Sequence, residues 1–207
     1  MPHTWDPDVL PPEDALRRLK EGNRRFMEGG GQALAGSWHE RMATAVQRPF
    51  SIVLGCSDSR TPVEVIFDQG FGELFVVRLA GNIAGPSALG SIEFAASQFG
   101  TRLVVVMGHT RCGAVGATLR ALESGEGPES RNIRSITDRI APHLEGIDRK
   151  GAPEAVHRAG VEANVRAVVK ELEAAGPLLQ KLVQAGRIRV LGAVYELETG
   201  AVVFFDR

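Results

Sequence analysis

Arg102-Leu103-Val104-Val105-Val106-Met107 runs without a break into Gly108-His109-Thr110-Arg111-Cys112-Gly113. After Arg102, the next five residues are a short apolar run rich in β-branched Val, the composition of a strand buried on both faces. The six that follow are polar and bounded by glycine, and from Gly113 to Glu123 the spacing turns helical. Strand, polar turn, helix is the repeating unit of a parallel sheet, because two parallel neighbours need a crossover between them.

The unit recurs on both sides. Upstream, Ser51–Leu54 is an apolar strand that runs into Gly55-Cys56-Ser57-Asp58-Ser59-Arg60, and Pro62–Phe67 reads as one or two helical turns. Leu74–Arg78 reads as a second strand, followed by a helix over Ser87–Phe99 with Leu89, Ile92 and Ala96 on one face. Downstream, Ile133–Leu144 admits a helix, and Ala155–Ala175 is the clearest one, with Val161, Val165, Val168 and Leu172 on a single stripe. A shorter helix over Pro177–Ala185 leads to a strand at Ile188–Tyr195. After the turn Glu198-Thr199-Gly200, Ala201–Phe205 returns as an antiparallel edge strand. The predicted fold is α/β: a mostly parallel central β-sheet, four parallel strands plus an antiparallel edge strand, flanked by helices.

Residues 1–46 form an N-terminal helical arm to that core, which spans 47–207 in the same single domain. The arm opens on a Pro-rich, extended stretch over 1–11. Pro12–Glu28 is a helix with Leu16, Leu19 and Phe26 on one stripe, ended by Gly29-Gly30-Gly31, and residues 32–46 leave room for a second short helix.

Composition bounds the function. Among 207 residues, 24 are Lys or Arg and 25 are Asp or Glu, a formal net charge of −1 at pH 7. That balance gives no long-range pull toward nucleic acid or an anionic membrane. The longest apolar runs, Leu103–Met107 and Ala201–Phe205, fall far short of the ~20 residues that cross a bilayer as a helix. The first residues carry neither a basic nor an apolar segment of a signal peptide. The expectation is a soluble, cytoplasmic protein, and in a reducing compartment two cysteines point to metal binding or catalysis rather than a bridge.

Both cysteines, Cys56 and Cys112, sit in the two polar strand ends, together with one of five histidines, His109. Ligands of open α/β sheets bind beyond the carboxyl ends of the strands. Cys56, His109 and Cys112 make three soft or borderline ligands and leave a fourth position open, the arrangement of a catalytic zinc site. The bland alternatives are two buried inert thiols and a core histidine bonded to a backbone carbonyl. Asp58 and Arg60 read either as a surface ion pair worth about 0–1 kcal/mol or as a dyad in which Arg60 keeps Asp58 ionised to orient a metal-bound water. His3, His39, His143 and His157 have no ligand-like neighbours in sequence and read as surface or satisfied histidines. Gly70-Phe71-Gly72 lacks the third glycine of a dinucleotide turn, and no phosphate-binding loop, serine nucleophile elbow or CxxC pair is present.

Cys56-Ser57-Asp58-Ser59-Arg60 paired with His109-Thr110-Arg111-Cys112-Gly113 resembles the β-class carbonic anhydrases. The likeness extends to Phe67–Arg78, to Ala80-Gly81-Asn82, to Leu89–Phe94 and to Gly22-Asn23 with Phe26, and covers most of 15–205. The resemblance implies one Zn²⁺ per subunit on Cys56, His109 and Cys112, with Asp58 as a fourth ligand in a closed state. It implies Asp58 and Arg60 as the catalytic dyad. It also implies Gln47 reaching substrate across a dimer, the Gly113 amide facing the substrate pocket, and a homodimer or homotetramer as the working form. The implied reaction is reversible hydration of carbon dioxide to bicarbonate and a proton by zinc-bound hydroxide. Relatives on the same scaffold hydrolyse CS₂ or carbonyl sulfide, and a non-catalytic zinc- or redox-responsive binding protein is the remaining alternative. Some bacterial members hold regulatory bicarbonate on a Trp, an Arg and a Tyr. Arg78 and Tyr195 match that set, whereas Val53 stands where the Trp would be.

Overall fold

The computed structural model describes residues 9–31 and 47–205. The expected short helix within 32–46 and the residues before Val9 lie outside the described residues. Five strands form one sheet: β1 (Ser51–Gly55), β2 (Leu74–Arg78), β3 (Leu103–His109), β4 (Arg189–Tyr195) and β5 (Val202–Phe204). Their order is β2-β1-β3-β4-β5, with β5 alone antiparallel, at the edge beside β4. The expected sheet is therefore present.

Seven α-helices are described: α1 (Pro12–Met27), α2 (Val63–Ile66), α3 (Pro86–Gln98), α4 (Gly113–Ser124), α5 (Arg131–Ile140), α6 (Pro153–Ala174) and α7 (Gly176–Gln184). Single 3₁₀ turns cover Ala80–Asn82 and Ala141–Leu144. The expected helix at Ile133–Leu144 thus starts two residues earlier, because the Ser130 hydroxyl caps it by accepting from the Ile133 amide at 3.4 Å. It tightens into a 3₁₀ turn at Pro142, which has no amide to continue the α-ladder.

Every residue of β1 and β3 is buried, as central strands covered on both faces require. Side chains alternate between the faces. Ile52, Leu54, Val104 and Val106 pack with Ile92 of α3, Val115 of α4 and Val161, Val165, Val168 and Leu172 of α6. Val53, Val105 and Met107 face the other way, onto Ala15 and Leu19 of α1 and Val63 and Ile66 of α2.

The described part of the arm, α1, therefore lies on its own sheet. Asn23 fastens it there: its amino group donates to the carbonyls of Ile66 (3.2 Å) and Gly200 (2.8 Å), and its carbonyl accepts from Val202 (2.8 Å). One residue earlier the helix presses so close on α2 that a Cβ at Gly22 would overlap the Phe67 carbonyl. β3 runs two residues beyond its apolar stretch, because Gly108 and His109 still pair with Val194 and Tyr195 of β4. That extension carries a histidine to the end of the sheet. Among the described residues, no helix is long and apolar enough to cross a membrane.

Candidate metal centre

β1 and β3 are parallel neighbours with Gly55 opposite Met107, so the turns that follow them open at the same end of the sheet. Cys56 follows the last residue of β1, His109 is the last residue of β3, and Cys112 is the N-cap of α4. Between His109 and Cys112 the backbone reverses through Arg111, which sits at φ 57°, a strained value for a residue with a side chain. That bend aims both side chains at one point. The ligand atoms of Cys56, His109 and Cys112 lie within 4.8 Å of one another, and all three residues are buried.

The tautomer of His109 is fixed by its neighbour. Its Nδ1 lies 2.9 Å from the Thr110 carbonyl, which only accepts, so Nδ1 carries the hydrogen and Nε2 presents a lone pair. Nε2 is buried and has no hydrogen-bond partner. An orphaned polar atom of this kind calls for an explanation, and a metal ion shared with the two sulfurs supplies one. The two thiols compete for one proton. Hydrogen bonding from Cys112 holds the Cys56 thiol well below its ordinary value, while the same contact and burial push Cys112 up. The amides of Val115 and Ala114, free at the start of α4, act on Cys112 in the opposite sense, toward the thiolate. The Gly81 amide donates to Cys56 Sγ at 3.4 Å.

Asp58 stands beside this cluster, its Oδ2 3.9 Å from His109 Nε2. Arg60 grips it three times: Nε to Oδ1 (2.9 Å), Nη2 to Oδ2 (2.7 Å) and the backbone amide to Oδ1 (2.9 Å). The Arg60 hydrogen bonds hold the Asp58 carboxyl well below the usual carboxylate range. Arg78 shapes the same turn by donating to the carbonyls of Cys56 (2.8 Å) and Asp58 (2.6 Å). Those bonds commit its guanidinium to the backbone. Val53 and Tyr195 are buried together on the α1 face of the sheet.

A cavity of about 610 Å³ opens beside Cys112, lined by Gly113, Arg120, His157 and Glu198 among others. Gly113 is exposed at its wall, where a Cβ would meet open space. His157, read from sequence as a default histidine, is satisfied but adjacent to the centre: its Nε2 donates to the Cys112 carbonyl at 3.0 Å. Gln47 is not brought to the cluster. It is exposed, four residues before β1 at the far end of the sheet, where the Arg48 amide donates to Gly72.

A sequence profile described as carbonic anhydrase matches residues 51–202. A carbonic anhydrase of Mycolicibacterium smegmatis is 40 % identical over 199 residues, spanning 92 % of this chain and 92 % of its own. Carbonic anhydrase 2 of Mycobacterium tuberculosis is 36 % identical over 201 residues, spanning 94 % and 93 %. Among solved structures, the β-carbonic anhydrase CcaA matches with a TM-score of 0.72 at 25 % identity, over 92 % of this chain and 95 % of that one. With the site, the fold and these relatives in agreement, the chain belongs to the β-carbonic anhydrase family. Its enzyme class is that of the family, carbonic anhydrase.

Proposed function

We propose that the chain catalyses the reversible hydration of carbon dioxide to bicarbonate and a proton with one zinc ion per subunit held by Cys56, His109 and Cys112. The observation that carries this reading is the buried, partnerless His109 Nε2 within 4.8 Å of two thiols and beside the Asp58–Arg60 pair. Two sulfurs and one imidazole are a donor set that zinc takes with a fourth position left open. When bound, zinc supplies the Lewis acidity that makes water a nucleophile near neutral pH.

The chain's own residues do the rest. Asp58, ionised because Arg60 holds it, accepts a hydrogen bond from the attacking water and points its lone pair at the carbon of CO₂. Asp58 is too weak a base to keep the proton, so the proton leaves to the medium. The Gly113 amide, in the unpaired first turn of α4, donates to the substrate oxygen on which charge develops. In this reading the Arg60 pairing belongs to the open arrangement, and a closed state brings Asp58 in as fourth ligand at the expense of that pairing. Gln47 serves the site of a second copy of the chain, in a homodimer or a tetramer built from it. The enzyme works in the cytoplasm, where both cysteines stay reduced.

The test is stopped-flow CO₂ hydration on zinc-loaded protein, with CS₂ and carbonyl sulfide assayed alongside. Rapid CO₂ turnover that vanishes in Cys56→Ser is expected; hydrolysis of CS₂ or carbonyl sulfide without CO₂ hydration contradicts the assignment.

A further inference from the structure

One hydrogen-bond chain reaches the metal centre without entering the reaction described above. It starts at Cys56 Sγ, which accepts from the Gly81 amide at 3.4 Å. The Gly81 carbonyl accepts from Asn164 Nδ2 at 2.9 Å. Asn164, fully buried on α6, accepts at its Oδ1 from His143 Nδ1 at 2.8 Å. His143 Nε2 lies 2.9 Å from Glu171 Oε1, at the surface.

The direction of the bonds between His143 and Cys56 is forced. The Gly81 carbonyl only accepts, so the Asn164 amino group faces it and the Asn164 carbonyl faces His143. The Asn164 carbonyl only accepts, so His143 Nδ1 carries a hydrogen toward it. The chain joins four separate segments: the turn after β1, the 3₁₀ turn at Ala80–Asn82, the 3₁₀ turn at Ala141–Leu144, and α6.

Gly81 is the weak point that this bracing answers. Its φ is 69°, and a Cβ there would stand 2.7 Å from Ile140 Cδ1 and 3.1 Å from Ala114 Cβ, so only glycine fits. Its amide and its carbonyl belong to peptide planes on either side of the Cα. Glycine is the residue whose dihedrals hold such planes least firmly. The turn therefore holds its shape only where each plane is tied, the amide to Cys56 Sγ and the carbonyl to Asn164, and losing the second tie loosens the turn that presents the first.

We propose that Asn164, braced by His143 and Glu171, is a positioning residue of the metal centre: by pinning the Gly81 carbonyl it keeps the Gly81 amide on Cys56 Sγ. A hydrogen bond to a ligating sulfur draws electron density from it, so this bond sets how strongly Cys56 donates to the metal. The inference rests on the proposed metal site, and its test separates the two.

His143→Leu, His143→Gln and Asn164→Asp are compared with the unmutated protein. Zinc affinity is measured by competition with a chromophoric chelator, and the cobalt-substituted proteins are read by their sulfur-to-metal charge-transfer band. Melting in chelator checks that each variant is folded. Asn164→Asp presents no donor to the Gly81 carbonyl, and His143→Leu presents none to Asn164. Both are expected to weaken zinc binding about 10–100-fold and to move the cobalt band. His143→Gln retains an amide donor and is expected to stay near the unmutated values. The His143 pair decides the matter even where Asn164→Asp does not fold. A folded His143→Leu with unchanged affinity and band overturns the inference, as does a His143→Gln as impaired as His143→Leu. An unmutated chain that binds cobalt without a thiolate band overturns the metal-site reading itself, and this inference with it.

Discussion

Asp58 is answered by Arg60 through two side-chain bonds and one backbone bond, which is why its carboxyl stays ionised. On the proposed reading the pair orients the attacking water and leaves the metal to Cys56, His109 and Cys112. Asp58→Asn is therefore expected to retain zinc, measured by metal content, while kcat falls about 10²–10⁴-fold. Unchanged turnover would remove Asp58 from the reaction. The same depressed pKa makes a prediction about acid. A carboxyl whose folded value lies below its unfolded value of about 3.9 stabilises the fold above that pH, and the stabilisation fades as pH falls through the folded value. In metal-free protein, the melting-temperature gap between the unmutated chain and Asp58→Asn should be level from about pH 5 to 8 and shrink below about pH 4. A gap that widens on acidification contradicts the pairing. At this scale the residues were legible before the fold: two cysteines and a histidine at polar strand ends, with Asp58 and Arg60 two and four residues on. Asn164 was not. It sits within the apolar stripe of Val161, Val165, Val168 and Leu172, and a lone amide on a buried helix face was the signal that something polar lay opposite.

Elements were legible where one pattern dominated. The Val run of β3 and the stripe of α6 stand out because burial on both faces or on one face leaves a plain periodicity. The ends were harder. Gly108 and His109 break the apolar run, and only pairing with β4 makes them strand. The strand order, which sets Cys56 beside His109, depends on crossovers that no local pattern encodes. At this scale α1 makes the sharpest prediction. Gly22 lies where the helix meets the Phe67 carbonyl, so Gly22→Ala forces the two apart. A loss of about 1–3 kcal/mol is expected, seen as a melting temperature about 2–12 °C lower at this chain length. Leu19→Ala, a cavity on the same contact, should cost about 2–5 kcal/mol. Full stability in both would mean that α1 does not rest on the sheet.

For the whole molecule, the placement of Gln47 is decisive. β1 alone spans about 17 Å, and Gln47 precedes it while Cys56 follows it. On the proposed reading Gln47 completes the site of a second subunit, and the prediction is complementation. Gln47→Ala and Cys56→Ser should each be impaired, yet refolding them together should restore activity, since hybrid dimers then carry one intact centre with an intact Gln47 beside it. No gain on mixing contradicts a shared site. The proposed function rests on Cys56, His109 and Cys112 holding the zinc on which CO₂ hydration depends. Its most direct test is stopped-flow CO₂ hydration before chelation, after chelation, and during titration with zinc. Activity is expected to be lost on chelation and to return in proportion to zinc up to one ion per chain. Full activity in zinc-free protein would contradict it.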